Sequence, residues 1–371
     1  MSTAVVEGPM PCPPGDLDQL VGLANRVFRP HGGDMRREYP LLFDPENLEN
    51  LRVVKLDGRV VSHVGLSIRD ASILGFPLRV VSVGAVCTAP EARGRGFATV
   101  LMQDAVAHSR ANGCSLMLIS GSRGLYHRMG AVNLTAFLKC RIPANSVPPV
   151  AGAIKVSPAE EKDIPLLSQL YQREPVRFHR SAEDWHKLLK AGMLMNHEAD
   201  TFAAYDSRSL AAYACVQRPT SDSPPRIGEY AGSRAAVRLM IPWIAKYYSA
   251  GSVEITLMPR DVEMQVLLQN EGAAFEHQPF GGTVLIIDVP AFFAALRGLV
   301  KERFGGPLEI STDENRVTFR LGNEETSWAP PSEITTNVFH GPPNNEKTNS
   351  LHEALRLIFP VPLLWYGLNY V

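Results

Sequence analysis

The run at residues 80–120 constrains this chain more than any other. It reads as a β-branched segment, Val80-Val81-Ser82-Val83-Gly84-Ala85-Val86-Cys87-Thr88, then Arg93-Gly94-Arg95-Gly96-Phe97-Ala98, then an amphipathic helix, then Cys114-Ser115-Leu116-Met117-Leu118-Ile119-Ser120. Near-continuous apolarity with β-branching predicts strands covered on both faces. Pro90 ends the first. Glycines at 94 and 96 remove Cβ atoms from the following turn, so amides can approach an anion, and a helix beginning near Phe97 adds the positive end of its dipole. Phe97, Val100, Leu101, Met102, Ala105 and Val106 predict an apolar stripe on that helix, which Gly113 stops. The expected guest is a pyrophosphate held on bare backbone.

Three phosphate-binding patterns fit a glycine turn of this kind. A P-loop needs a Lys-Ser/Thr pair closing the loop, which is missing, and a dinucleotide fingerprint would need a glycine where Thr99 stands and an acidic residue ending the next strand. What remains is R-x-x-G-x-A from Arg93 to Ala98, which resembles the pyrophosphate signature of the GCN5-related N-acetyltransferases. The later stretch Ser122-Arg123-Gly124-Leu125-Tyr126-His127-Arg128-Met129-Gly130-Ala131 is similar to that family's short tyrosine-bearing helix. The resemblance implies acetyl-CoA as co-substrate, lying between two splayed strands. Val86, Cys87 and Thr88 would contact the pantetheine arm with their main chain, Arg93, Gly94, Arg95, Gly96, Phe97 and Ala98 would bind the pyrophosphate, and Tyr126 would be the general acid. Attack of an amine on a thioester makes an oxyanion, which needs a placed donor such as the amide of Val86 or Cys87. A tyrosine, with a reference pKa of about 10, keeps its proton at neutral pH and can deliver it to a departing thiolate.

Composition narrows the class. A chain of 371 residues with 45% hydrophobic residues and a net charge of −1 predicts two or three globular domains and excludes a nucleic-acid binder with a basic face. Cysteines at 12, 87, 114, 140 and 215 are scattered without a C-x-x-C, which points to a reducing compartment and away from disulfides or zinc. The ten histidines show neither H-E-x-x-H nor paired spacing with carboxylates, so no metal is expected. No stretch is long enough for a membrane span, and the Pro-rich start at residues 1–15 lacks a signal pattern, so the expected location is the cytoplasm.

The rest of the chain shows an internal repeat. Asp16-Leu17-Asp18-Gln19 predicts a capping box opening a helix with Leu17, Leu20, Val21, Ala24, Val27 and Phe28 on one face, and Asp57-Gly58 predicts a tight hairpin between residues 52–56 and 59–68. A strand at residues 132–142 and a linker at 143–149 close this part. Ser157-Pro158-Ala159-Glu160 then predicts a second capped helix. Residues 201–216, 227–232, 235–248, 253–257 and 267–273 replay the hairpin, the strand, the helix, the second strand and the tyrosine segment. The second copy reads Gly232-Ser233-Arg234-Ala235-Ala236, without the second glycine, and has Asn270 or Glu271 in place of a tyrosine, so it is expected to have lost the chemistry.

Beyond Pro290, Phe292, Phe293, Leu296, Leu299, Val300 and Phe304 predict an amphipathic helix, followed by strands at 308–311, 316–321 and 325–328 and helices at 332–339 and 350–359, the last opened by a Ser-x-x-Glu box. This order resembles the mycobacterial enhanced-intracellular-survival (Eis) acetyltransferases. That resemblance implies an α+β chain of tandem acyl-CoA N-acyltransferase folds with mixed, splayed sheets. Its expected domains are a catalytic one at 1–145, a degenerate one at 146–290 and a sterol-carrier-like one at 291–371. It also implies a homo-oligomer, and a terminal carboxylate, here that of Val371, reaching the active site as base. His127, or Glu38 through water, are the other candidate bases. The expected activity is acetyl transfer from acetyl-CoA to a primary amine of a small molecule or peptide by direct attack in a ternary complex, with the acceptor left open. The alternative is a non-catalytic acyl-CoA or lipid-binding protein, which would need an apolar cavity lined by Phe292, Phe293 and Trp328.

Overall fold

Both residues of the Asp57-Gly58 pair lie in the left-handed region, with φ of 50° and 75°, the geometry that a two-residue hairpin turn requires. In the computed structural model, which describes residues 5–148, 154–207, 209–343 and 349–371, this turn belongs to an antiparallel run of strands. These are β1 (Val6–Pro11), β2 (Leu51–Leu56), β3 (Arg59–Ile73) and β4 (Phe76–Thr88), and β4 then pairs parallel with β5 (Leu116–Ile119). The sequence did not suggest β1, because Pro9 and Pro11 argue against a strand. Both are tolerated because β1 is an edge. The connections hold α1 (Leu17–Phe28), α2 (Met35–Glu38), α3 (Phe97–Ala111) and α4 (Gly124–Arg128).

Helix α1 buries Leu17, Leu20, Val21, Leu23 and Ala24, but its cap is not the expected box. Lys55 Nζ takes the Asp16 carboxylate at 2.7 Å, and a tight turn over Pro14–Asp16 leads into the helix. Helix α3 buries Leu101, Met102, Ala105 and Ser109, while Val100 is 43% exposed, so its apolar stripe begins later than its composition implies. The free edge of β5 is closed from far along the chain by residues 283–286, which pair with it antiparallel. Two compact units result: Met1–Leu134 with Gly281–Val361 and Val371, and Thr135–Phe280 with Pro362–Tyr370. The division expected at 145 and 290 follows the repeat, whereas the units follow the strands. The expected linker runs out of the described residues at Pro149.

The second unit repeats the first in its pairing. Its strands are β6 (Val132–Pro143), which enters it from Thr135 onward, β7 (Lys155–Pro158), β8 (Val176–Phe178), β9 (Met193–Leu194), β10 (His197–Tyr205), β11 (Leu210–Gln217), β12 (Arg226–Gly232) and β13 (Ser252–Leu257). β7, β10, β11 and β12 pair antiparallel in that order, β12 and β13 are parallel, and β6 closes the sheet antiparallel to β13. The helices are α5 (Ile164–Tyr171), α6 (Ala182–Ala191), α7 (Arg234–Tyr247) and α8 (Val262–Gln269). Ser157 lies within β7, and the turn into α5 is capped instead by Glu160 and Asp163 in a reciprocal box. Helix α6, absent from the sequence reading, opens on another such box made by Ser181 and Asp184.

After β14 (Glu276–Ile286), the single helix expected over Phe292 to Phe304 is broken at Leu296 into α9 (Val289–Ala295) and α10 (Arg297–Arg303). β15 (Glu309–Thr312), β16 (Val317–Leu321) and β17 (Glu324–Trp328) form an antiparallel sheet, followed by α11 (Pro331–His340) and α12 (Ser350–Ile358). Asn349, one residue before the expected Ser350, caps α12 by accepting from the His352 amide at 2.8 Å. Phe293, Phe319, Trp328 and Phe359 meet at centroid distances of 4.6 to 6.5 Å and give this segment an aromatic core.

Within the second unit the tail segment Pro362–Tyr370 is held by a buried charge network. Arg180 reaches both Glu229 oxygens at 2.7 Å and donates from Nε to Asn369 Oδ1 at 2.6 Å. Tyr213 and the Leu368 amide donate to the same carboxylate, each at 3.0 Å. The guanidinium lies 4.0 Å from the centroid of Tyr171 and 4.9 Å from that of Trp185. Removing one member of such a pair leaves a buried charge without its partner, at about 3–5 kcal/mol. Glu229→Gln is therefore expected to lower unfolding stability by roughly 3 kcal/mol, read by urea denaturation with tryptophan fluorescence. A loss below about 1 kcal/mol would show that the pair is worth no more than a surface one.

Candidate active site

Strand β4 outruns its partner. Its parallel pairing with β5 ends at Val83 opposite Ile119, and Ser120 closes it with two bonds to the Val83 carbonyl, from its amide and its hydroxyl, each 2.9 Å. Among the described residues β4 continues to Thr88 paired on the β3 side alone. Between the pairs His63–Cys87 and Gly65–Gly84, Ala85 and Val86 stand against the one residue Val64, and Ala85 takes φ of 52°. Such a bulge re-aims the strand's peptide groups. Val86, Cys87 and Thr88 thus lie beyond the last residue pair of β4 with β5.

At the far end of β4 the glycine turn takes the expected form. Gly94 and Gly96 have φ of 77° and 79°, and an added Cβ at either would meet nothing within 4 Å. Gly96 stands at the N-cap of α3 with no side-chain cap. Among the described residues no hydrogen bond takes up the amides of Gly94, Arg95, Gly96, Phe97 or Ala98. Arg93 and Arg95 are exposed, and Arg93 Nε donates to the Thr88 carbonyl at 3.4 Å. Free amides, a helix N-terminus and two guanidinium groups are the features that anion binding uses. The second copy is shut at the same place. Ser233 caps α7 by accepting from the Ala236 amide at 3.2 Å, and Arg234 is bound by Glu174 at 2.7 Å and Asp261 at 3.0 Å. Glu271, expected where a tyrosine would stand, is paired with Arg238.

Two further residues adjoin the point where β4 and β5 separate. Tyr126 on α4 is 3% exposed, and its Cε2 would lie 3.5 Å from a Cβ on Gly121, the residue that follows Ser120. Val371 is buried against Gly84: a Cβ there would come within 2.2 Å of the Val371 carboxyl carbon and 2.5 Å of its oxygen. Gly84, a lone glycine in a β-branched strand, marks this close approach in the sequence. The other candidate bases are engaged elsewhere. His127 is exposed, with Nε2 at 3.2 Å from the Ser122 hydroxyl and Nδ1 at 3.1 Å from the Ala131 carbonyl. Glu38 is bonded by Arg29 Nε at 2.6 Å and by the Asp34 amide at 3.2 Å.

His63 was not singled out by the sequence. It is fully buried in β3, with Nδ1 3.2 Å from the Arg52 carbonyl and, among the described residues, no hydrogen-bond partner for Nε2. A carbonyl only accepts, so Nδ1 carries the proton and Nε2 keeps its lone pair. Burial lowers its pKa to about 4, which keeps the ring neutral. Across the strand pair, burial pushes the Cys87 thiol up to about 12, so Cys87 lines the site without serving as a thiolate nucleophile.

Residues 11–132 match the family model of an acetyltransferase (GNAT) domain. No curated protein matches the chain. Among solved structures, Eis1 from Mycobacterium abscessus is 12% identical with a TM-score of 0.64, the match covering 98% of this chain and 99% of that one. A GCN5-related N-acetyltransferase from Anabaena variabilis is 17% identical with a TM-score of 0.63, over 88% of this chain and 85% of its own. A probable N-acyltransferase from Enterococcus faecalis is 15% identical with a TM-score of 0.64, over 90% and 86%. The family-model match reaches from before the α1 helix to just past Tyr126, and the chain as a whole is similar in fold to these solved structures.

Proposed function

We propose that this chain transfers the acetyl group of acetyl-CoA to a primary amine of a small molecule or peptide, by direct attack in a ternary complex. Val371 against Gly84, at the place where β4 parts from β5, is the observation that carries the reading. It sets a carboxyl group beside the bulged strand, close in sequence to the fork that Tyr126 adjoins through Gly121. In this reading the amides of residues 94–98 hold the pyrophosphate with Arg93 and Arg95, and the main chain of Val86, Cys87 and Thr88 holds the pantetheine arm. The amide of Val86 or Cys87 donates to the oxyanion.

The proton transfers then follow from residue type. The Val371 carboxylate takes one proton from the acceptor ammonium, the freed amine bonds to the thioester carbon, and the carbon–sulfur bond breaks toward sulfur. Tyr126 protonates the departing thiolate, and the second amine proton restores the phenol. The net products are an amide, a free thiol and one released proton. The sequence division at 145 and 290 describes a live copy, a spent copy and a third segment, proposed to be sterol-carrier-like, in a homo-oligomer of the cytoplasm. For that location the five free cysteines and the lack, among the described residues, of a helix able to cross a membrane are the support. A lipid-binding role is disfavoured, because Phe292, Phe293 and Trp328 are at most 4% exposed and lie among other rings, filling the space a ligand would need.

A thiol-release assay with acetyl-CoA and a panel of primary amines tests the reading. Tyr126→Phe is expected to lower kcat by about 10²-fold or more, with the KM for acetyl-CoA little changed; a variant as active as the parent would remove Tyr126 from the mechanism. Gly84→Ala, which forces the terminal residue off its seat, and one glycine appended after Val371 should each reduce kcat at least about tenfold. Calorimetry should show CoA binding preserved in both. Full activity in the extended protein would exclude the terminal carboxylate as the base.

A further inference from the structure

The acceptor ammonium must be held as well as deprotonated, and His63 offers an unused acceptor on the same strand pair. Gly65 and Gly84 face each other between β3 and β4, and opposed residues of an antiparallel pair turn to the same face. His63, two residues before Gly65, turns to that face too. A Cβ on Gly65 would lie 3.0 Å from His63 Nε2, 3.0 Å from Leu42 Cδ1 and 3.1 Å from the Gly84 carbonyl oxygen. A Cβ on Gly84 would run into Val371. The imidazole and the terminal carboxyl thus pack over neighbouring positions of the strand pair, each where a glycine lets it approach the backbone.

Both groups are acceptors. Nε2 has a lone pair and no partner, although buried polar atoms are nearly always bonded. A primary ammonium carries three donors. We propose that His63 binds the acceptor substrate, its Nε2 taking one N–H of the primary ammonium while the carboxylate of Val371 takes another. His63 exchanges no proton: Nδ1–H stays on the Arg52 carbonyl throughout. Leu42, whose methyl stands at the same point, is the side chain an entering amine displaces, and the ring of Phe43 lies 6.0 Å from that of His63. This apolar border selects amines whose nitrogen sits on an alkyl or arylalkyl arm. The inference rests on the acetyltransferase reading above.

Three variants and one spectrum test it, with phenethylamine, spermidine and N-acetyl-lysine amide as probes. His63→Leu is expected to raise the KM for the amine at least about tenfold, the loss typical of one hydrogen bond to a charged group, while the KM for acetyl-CoA stays the same. His63→Gln, whose amide oxygen can accept, should recover part of that loss, and His63→Asn, too short to reach, should not. Thermal melting establishes that each variant is folded. In the unsubstituted protein with CoA bound, the nitrogen resonance of His63 Nε2 should leave its free lone-pair position when amine is added, a readout that needs no variant. An unmoved resonance at saturating amine, or a folded His63→Leu with an unchanged amine KM, would overturn the role of His63 and leave the transferase reading intact. Absence of thiol release with every amine would overturn that reading and this inference together.

Discussion

Everything at the candidate site depends on the place where two parallel strands stop bonding to each other. A buried peptide group without a partner costs free energy, so a strand that keeps running after its neighbour has left must find its bonds elsewhere. Strand β4 does this on one side through β3, with the bulge at Ala85 and Val86 turning the remaining groups into the gap. On the other side the pairing with β5 ends at Val83. An extended ligand with its own amides, as the pantetheine arm has, satisfies such an edge in the way another strand would.

The repeat offers an internal control for the meaning of the glycine turn. The same succession of antiparallel strands, one parallel pair and a helix occurs in both units, so the fold alone does not decide where an anion goes. The helix N-terminus decides it. On α3 the cap is a left-handed glycine and the amides are unclaimed; on α7 a serine caps the end, and Arg234 is already neutralised by Glu174 and Asp261. Substitutions of a few residues at one turn separate an uncapped helix N-terminus from a capped one, with a like succession of strands around them.

Much of this was legible in sequence because it is local. Glycine spacing, Asp57-Gly58 and the β-branched runs act over two to ten residues, and the structure follows them. Legibility failed where partners are distant. Asp16 and Ser157 carry cap chemistry but serve a lysine contact and a strand, and the true caps, Glu160 and Asn349, lie within three residues of the expected ones. His63 could not be recognised because its meaning comes from the register of β3 on β4, which a bulge shifts by one residue. The strand exchange that closes each sheet is likewise invisible to periodicity, since β6 and β14 look the same whichever sheet they join.

That exchange makes the first repeat depend on the second. Residues 283–286 form the strand that covers β5, so the first repeat borrows its last strand from the end of the second. A gene trimmed to the first 145 residues would encode every group proposed for chemistry except Val371, yet would expose the edge of β5 to pairing with other chains. The second repeat thus carries a strand on which the first depends, whatever its own helix N-terminus does.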